Sequence, residues 1–247
     1  VDQYQHYILG QIREWEKEQT STWFFHQWSR SFQKKIDSLI PEVVHEKLAK
    51  AVEGMVKSIA SGVSLIPQKQ QYLDPGLTFV ARDQKAKETI QLYKKVAMAE
   101  GAGTGAGGLV LSAVDFPAFI AIKFKLLQEL SNIYGYNVQD FEERMFIIKV
   151  FQLAYAGDVN KTKIYQEIKD WPERKQEISQ TTYQNVMAWR EFYSEYRESI
   201  ELRKLLQIIP GFGAIVGALA NRSILDDLAV TAVHVYRMRY LQDCKLI

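Results

Sequence analysis

Along most of this chain apolar residues recur at spacings of three and four, the mark of helices that bury one face. Residues 83–97 place Ala86, Ile90, Tyr93 and Ala97 on one such face. Residues 223–241 do the same with Ile224, Leu228, Ala232, Val235 and Met238, and Ser223 with Asp226 and Asp227 reads as a helix start. A further helix is predicted from Glu42 to Ala60, with Pro41 in its first turn and Gly62 as its stop. Strand-like alternation over five or more residues is hard to find. Pro67 and Asp74-Pro75-Gly76 mark a loop over 68–80, and Trp171-Pro172 marks a second break. The fold class predicted is all-α: a multi-helix bundle with two glycine-rich apolar helices packed in its core. An N-terminal helical arm (1–66) precedes a helical body (83–247), and one continuous domain over 1–247 is the alternative.

The two glycine-rich segments are the most unusual part of the pattern. In the first, Gly101, Gly105 and Gly108 fall on one helical face, and in the second Gly213 and Gly217 do so. Each glycine inside a helix costs about 1 kcal/mol relative to alanine. A face without side chains lets another helix approach closely, which offsets that cost. The segments are also nearly uncharged. Gly101–Ile122 spans 22 residues with Asp115 as its one charge, and Leu205–Asn221 spans 17 with none. Asp115 and Pro117 interrupt the first, Pro210-Gly211 the second, so buried core helices are expected rather than membrane spans. Contact with a membrane surface stays open.

Composition narrows the function classes. Hydrophobic residues make up 47% and charged residues 24%, an ordinary globular balance that supports a real core. The net charge is +2, without the basic excess of a dedicated nucleic-acid binder. The single cysteine, Cys244, permits neither an internal disulfide nor a cysteine-based zinc cluster. The first residues show no basic start followed by an apolar run, so no signal peptide is expected.

Candidate chemistry is sparse. His6, His26, His45 and His234 form no ligand pair, and His45-Glu46 lacks the second histidine of a zinc-protease motif, so no metal is expected. Gly101-Ala102-Gly103 lacks the spacing of a dinucleotide fingerprint and no lysine follows as in a phosphate loop, so no nucleotide cofactor is expected either. Glu100 and Asp115 flank the first glycine segment among apolar residues and need partners if buried. With Arg144 they form the one candidate catalytic set, for a hydrolase-type reaction. Phe24, Trp28 and Phe32 share a helical face, while Arg30, Lys34 and Lys35 fall elsewhere. That arrangement suits a helix in a lipid interface or one packed on the body.

Several motifs together resemble the EcsC family. They are Ile40-Pro41-Glu42-Val43-Val44-His45, Ala99-Glu100-Gly101, Asp115-Phe116-Pro117, Tyr134-Gly135-Tyr136, Glu143-Arg144, Phe151-Gln152-Leu153-Ala154, Ile209-Pro210-Gly211 and Arg239-Tyr240-Leu241. The resemblance runs from about residue 30 to 241. It implies a bacterial, intracellular, mainly helical protein whose family is linked to an ABC transporter by operon context. It implies no reaction.

The expected function is therefore a non-enzymatic accessory or regulatory protein, peripheral on the cytoplasmic face of the membrane, with lipid or an ABC-transporter subunit as partner. The hydrolase with Glu100, Asp115 and Arg144, and a carrier of an apolar ligand such as a lipid, are the alternatives.

Overall fold

A computed structural model of the chain describes residues 3–20, 42–66, 76–105, 108–178 and 213–247; side chains are described at 3–19, 50–66, 76–99, 117–157, 160–174 and 222–247. Helix is the regular structure throughout the described residues, and no strand occurs among them. The helices are α1 (Gln3–Thr20), α2 (Glu42–Ala60), α3 (Phe79–Gly105), α4 (Gly108–Tyr134), α5 (Phe141–Tyr155), α6 (Asp158–Lys169), α7 (Trp171–Ile178) and α8 (Gly213–Asp243).

The helix predicted over 83–97 is the middle of α3. It begins earlier because Thr78 caps it: the Ala81 N–H donates to Thr78 Oγ1 at 3.3 Å and the Arg82 N–H to the Thr78 carbonyl at 3.0 Å. The last two residues of the predicted 68–80 loop therefore belong to the helix. The start predicted at Ser223 is corrected outright. α8 begins at Gly213, and Asp226 forms an ion pair with Lys94 of α3 instead of completing a first turn. The described parts of both glycine-rich segments are helical, within α3, α4 and α8. Pro117 sits inside α4 and forfeits one backbone hydrogen bond there. The break at Trp171-Pro172 separates α6 from α7, with Pro172 in the first turn of the new helix.

α3 and α8 run antiparallel through the centre, with α4 beside both. One hydrophobic cluster joins Phe124, Leu127 and Leu130 of α4, Phe146, Val150 and Phe151 of α5, and Leu228, Val235 and Tyr236 of α8. Ile8, Ile12 and Trp15 of α1 and Val52, Val56 and Ile59 of α2 belong to the same cluster.

Three helices end alike. After α2 the Val63 N–H bonds the Ser58 carbonyl and Gly62 bonds Ile59; after α4 Tyr136 bonds Ser131 and Gly135 bonds Asn132; after α8 Leu246 bonds Leu241 and Lys245 bonds Gln242. Each turn needs a left-handed residue, with φ of +98° at Gly62, +99° at Gly135 and 56° at Lys245. An arginine from elsewhere closes the first two. Arg144 Nε donates to the Ala60 carbonyl at 3.2 Å, and Arg82 Nη1 to the Ile133 carbonyl at 2.6 Å. A Cβ at Gly135 would stand 3.3 Å from Arg82 Nη1, so that stop is filled as well as strained for any other residue. Lys245 carries the left-handed penalty without a glycine to relieve it. Lys245→Gly is therefore expected to raise stability by about 1 kcal/mol, measured by urea unfolding.

Candidate functional site

Two carboxylates are buried in the bundle, and each gathers partners from several helices. Glu143 opens α5 and is 3% exposed. It accepts hydrogen bonds from Ser131 Oγ of α4 at 2.7 Å and from Tyr236 OH and Arg239 Nη1 of α8 at 2.9 and 2.5 Å. Burial pushes its carboxyl up from the ordinary range, and Arg239 and the two hydroxyls pull against that rise. The guanidinium of Arg239 also lies over two rings, 3.8 Å from the centroid of Tyr136 and 4.2 Å from that of Phe146. Tyr136 in turn donates to Asp243 at 2.8 Å.

Asp83 of α3 organises the second cluster. It accepts from Tyr134 OH of α4 at 2.5 Å, Tyr4 OH of α1 at 2.7 Å and Arg237 Nε of α8 at 3.1 Å. Arg237 donates onward to Gln11 of α1 at 3.0 Å. Burial and the neighbouring Asp83 carboxylate push the Tyr4 hydroxyl up to about 12, and the same two causes raise Tyr134. Tyr134 and Tyr236 stack at 5.8 Å, so the two clusters form one polar layer across α3, α4, α5 and α8. Each carboxylate thus accepts three hydrogen bonds from hydroxyl and guanidinium donors. Their chemistry as placed is to hold the helices in register.

Lys123 of α4 is fully buried, with Nζ 4.4 Å from the centroid of Tyr155, 4.5 Å from Phe119 and 5.8 Å from Phe151. These rings give the ammonium three negative faces.

The two ion pairs between α3 and α8 set their register. Asp83 meets Arg237, and Lys94 meets Asp226 about three turns further along both helices. Continued without change, that register brings Gly105 level with Ile215 and Gly101 level with Leu219. Residues 101–105 of α3, 108–114 of α4 and 213–221 of α8 form a set of helix ends without a charged residue. Glu100, Asp115 and Arg222 mark its border. Nearer the middle of α3, Leu92 and Val96 are 59% and 42% exposed.

The residues singled out from the sequence fare differently. Phe24, Trp28, Arg30, Phe32, Lys34 and Lys35 lie outside the described residues, as do the side chains of Glu100 and Asp115. Arg144 is engaged at the stop of α2, where it also donates to the Gln139 carbonyl and lies 5.7 Å over the Phe141 ring. Gly101, Gly105, Gly108, Gly213 and Gly217 all stand in helices at the uncharged end. Asp83, Arg237 and Tyr236, which sequence reasoning passed over, build the polar layer. The signal available was an aspartate beside the apolar stripe of 83–97 and two arginines two residues apart in 223–241. Among the described residues no group of three His, Cys, Asp or Glu side chains could hold a metal ion, and no helix is long and apolar enough to cross a membrane.

The described residues form a helical bundle with a buried polar layer and uncharged glycine-rich helix ends. The profile of the EcsC protein family matches residues 6–241, and the chain belongs to that family. It is 40% identical over 219 residues to Protein EcsC of Bacillus subtilis (strain 168), covering 89% of this chain and 88% of that protein. It is 31% identical over 255 aligned positions to the uncharacterized protein YdbA of the same organism, covering 95% and 92%. No solved structure matches the chain.

Proposed function

We propose that this protein is a non-enzymatic accessory protein that works peripherally at the cytoplasmic face of the membrane, beside an ABC transporter. What supports the reading is that the glycine-rich stretches, uncharged over 101–114 and 213–221, belong to helices that pack on one another. From Glu100 to the end of α3 at Gly105 is about 8 Å of helix. Interfacial helices bury about 5–10 Å into the headgroup and acyl boundary, so the uncharged end has the right depth for one leaflet. The flanking carboxylates of Glu100 and Asp115 would then stay in water. The aromatic-basic stretch at 23–35 supplies a second, electrostatic contact in this reading, and the operon link of the EcsC family supports a transporter as neighbour. The engagement of Arg144 with the Ala60 and Gln139 carbonyls supports this over a hydrolase built on Glu100, Asp115 and Arg144.

Flotation with neutral and anionic vesicles at low and high salt tests it. The protein is expected to float. Val110→Glu, which places a carboxylate in the uncharged end, is expected to reduce salt-resistant binding at least tenfold, consistent with the cost of a charge among lipid chains. Alanine at Phe24, Trp28 and Phe32 together should remove the salt-sensitive part. If the wild-type chain floats with neither vesicle at either salt, the membrane reading is wrong.

A further inference from the structure

The outer face of α3 carries an apolar stripe that the bundle leaves open. Leu92 and Val96, one turn apart, are 59% and 42% exposed, and Ala99 continues their face toward the glycine-rich helix ends. α4 runs beside α3 in the opposite sense, since Asp83 meets Tyr134 while Tyr93 OH donates to Glu129 at 2.7 Å. One turn nearer the glycine-rich ends, Val96 follows Tyr93 and Lys125 precedes Glu129. Further toward the start of α4, Ile122 is half-buried and Pro117 and Ala118 are exposed. The two helices thus share an outer apolar face that leads into the uncharged ends.

Between its limits this face is positive. Over 89–99 α3 carries Lys94 and Lys95 and no carboxylate, and over 117–128 α4 carries Lys123 and Lys125 and none. Lys94 turns to Asp226 of α8 and Lys123 is buried among rings. Lys95 is exposed and Lys125 partly so. The carboxylates at one limit are engaged, Glu129 by Tyr93 and Glu88 by Gln84 at 2.7 Å. Glu100 and Asp115 border the other. An open apolar stripe flanked by lysines has the chemistry of a helix lying in an anionic lipid interface. Continuity with the uncharged ends favours lipid over an acidic protein partner.

Depth decides the orientation. Val96 lies about 14 Å along α3 from Gly105, and Leu92 about 20 Å. Interfacial helices bury only about 5–10 Å, so a bundle standing on its glycine-rich ends leaves both side chains in water. We propose that α3 and α4 lie side-on against an anionic lipid surface, with Leu92, Val96, Ala118 and Ile122 toward the acyl chains and Lys95 and Lys125 on lipid phosphates. This deepens the membrane reading and rests on it. Glu100 and Asp115 then lie at headgroup height, still in contact with water.

The test uses the full chain with phosphatidylglycerol–phosphatidylcholine vesicles and with phosphatidylcholine alone. A polarity-sensitive dye is placed at Leu92→Cys, in a chain whose own thiol is removed by Cys244→Ser. A second chain carries it at Ile247→Cys, 52% exposed beyond the C-terminal end of α8. On the anionic vesicles the dye at position 92 is expected to shift to the blue and the dye at 247 to stay in water. Each basic residue near an anionic surface strengthens binding about fivefold. Lys95→Glu with Lys125→Glu should therefore weaken binding to the anionic vesicles at least tenfold. That loss should persist when Phe24, Trp28 and Phe32 are alanine, which separates this face from the 23–35 stretch. A chain that floats while position 92 stays in water would overturn the side-on seat, leave the membrane reading standing, and return the face to an acidic protein partner. Floating with no loss from the two lysine reversals would overturn it likewise. A chain that floats with neither vesicle would overturn both.

Discussion

Arg239→Met is expected to lower the unfolding free energy by about 3–5 kcal/mol. The arginine side chain is 11% exposed and the Glu143 side chain 3%. Removing the guanidinium leaves a carboxylate in the bundle interior with hydroxyl partners only, and the desolvation that already pushes its carboxyl up would go unopposed by any cation. The two rings that flank the guanidinium, Tyr136 and Phe146, lose a cation as well. The change should fall mostly on the buried charge rather than on packing, because methionine refills much of the volume. The pair Arg239→Met with Glu143→Leu is therefore expected to recover a good part of the loss, since a buried ion pair can be replaced by apolar groups at little net cost. Urea unfolding of both variants measures this. A single substitution costing under 1 kcal/mol would mean that Glu143 has access to water.

Phe151→Ala is expected to cost about 3–5 kcal/mol, the range for truncating a large buried aromatic side chain. Phe151 is fully buried, stacks on Phe124 at 4.6 Å and 13°, and meets Tyr155 edge-on at 5.0 Å. It also forms one wall around the Lys123 ammonium. The loss has two parts, a cavity between α4 and α5 and one fewer ring for a buried cation. Phe151→Leu refills most of the cavity but not the ring face. Its cost, also read by urea unfolding, should fall well below that of alanine while remaining measurable. A cost near zero for leucine would show that the ring face contributes nothing to Lys123.

The motifs that carry the family resemblance acquire a physical meaning in this light. Tyr134-Gly135-Tyr136 is a helix stop whose glycine supplies the left-handed turn and whose two tyrosines serve the two clusters of the polar layer. Glu143-Arg144 contributes one residue to that layer and one to the stop of α2. Arg239 completes the first cluster. Glu143 and Arg239 are 96 residues apart, and no local pattern could have announced that they meet. In the sequence Arg144 was legible only as a candidate partner for Glu100 or Asp115. Its place at Ala60 and Gln139 came from the packing of α5 on α2.

Helical periodicity determined a great deal by itself. The apolar stripes of 42–60, 83–97 and 223–241 foretold helices because a 3.6-residue repeat places them on one face whatever lies opposite. Gly62 foretold a helix end because the turn needs a positive φ that other residues resist. The glycine faces foretold helices able to pack closely. Helix limits depended on what the neighbours supplied: Ser223 and Asp226 looked like a start, yet α8 continues back to Gly213 and Asp226 turns to Lys94. Only the tertiary structure decided which charges meet and which arginine closes which helix. Those facts depend on contacts between residues far apart in the chain, and the free energy of such a contact exists only once the helices have packed.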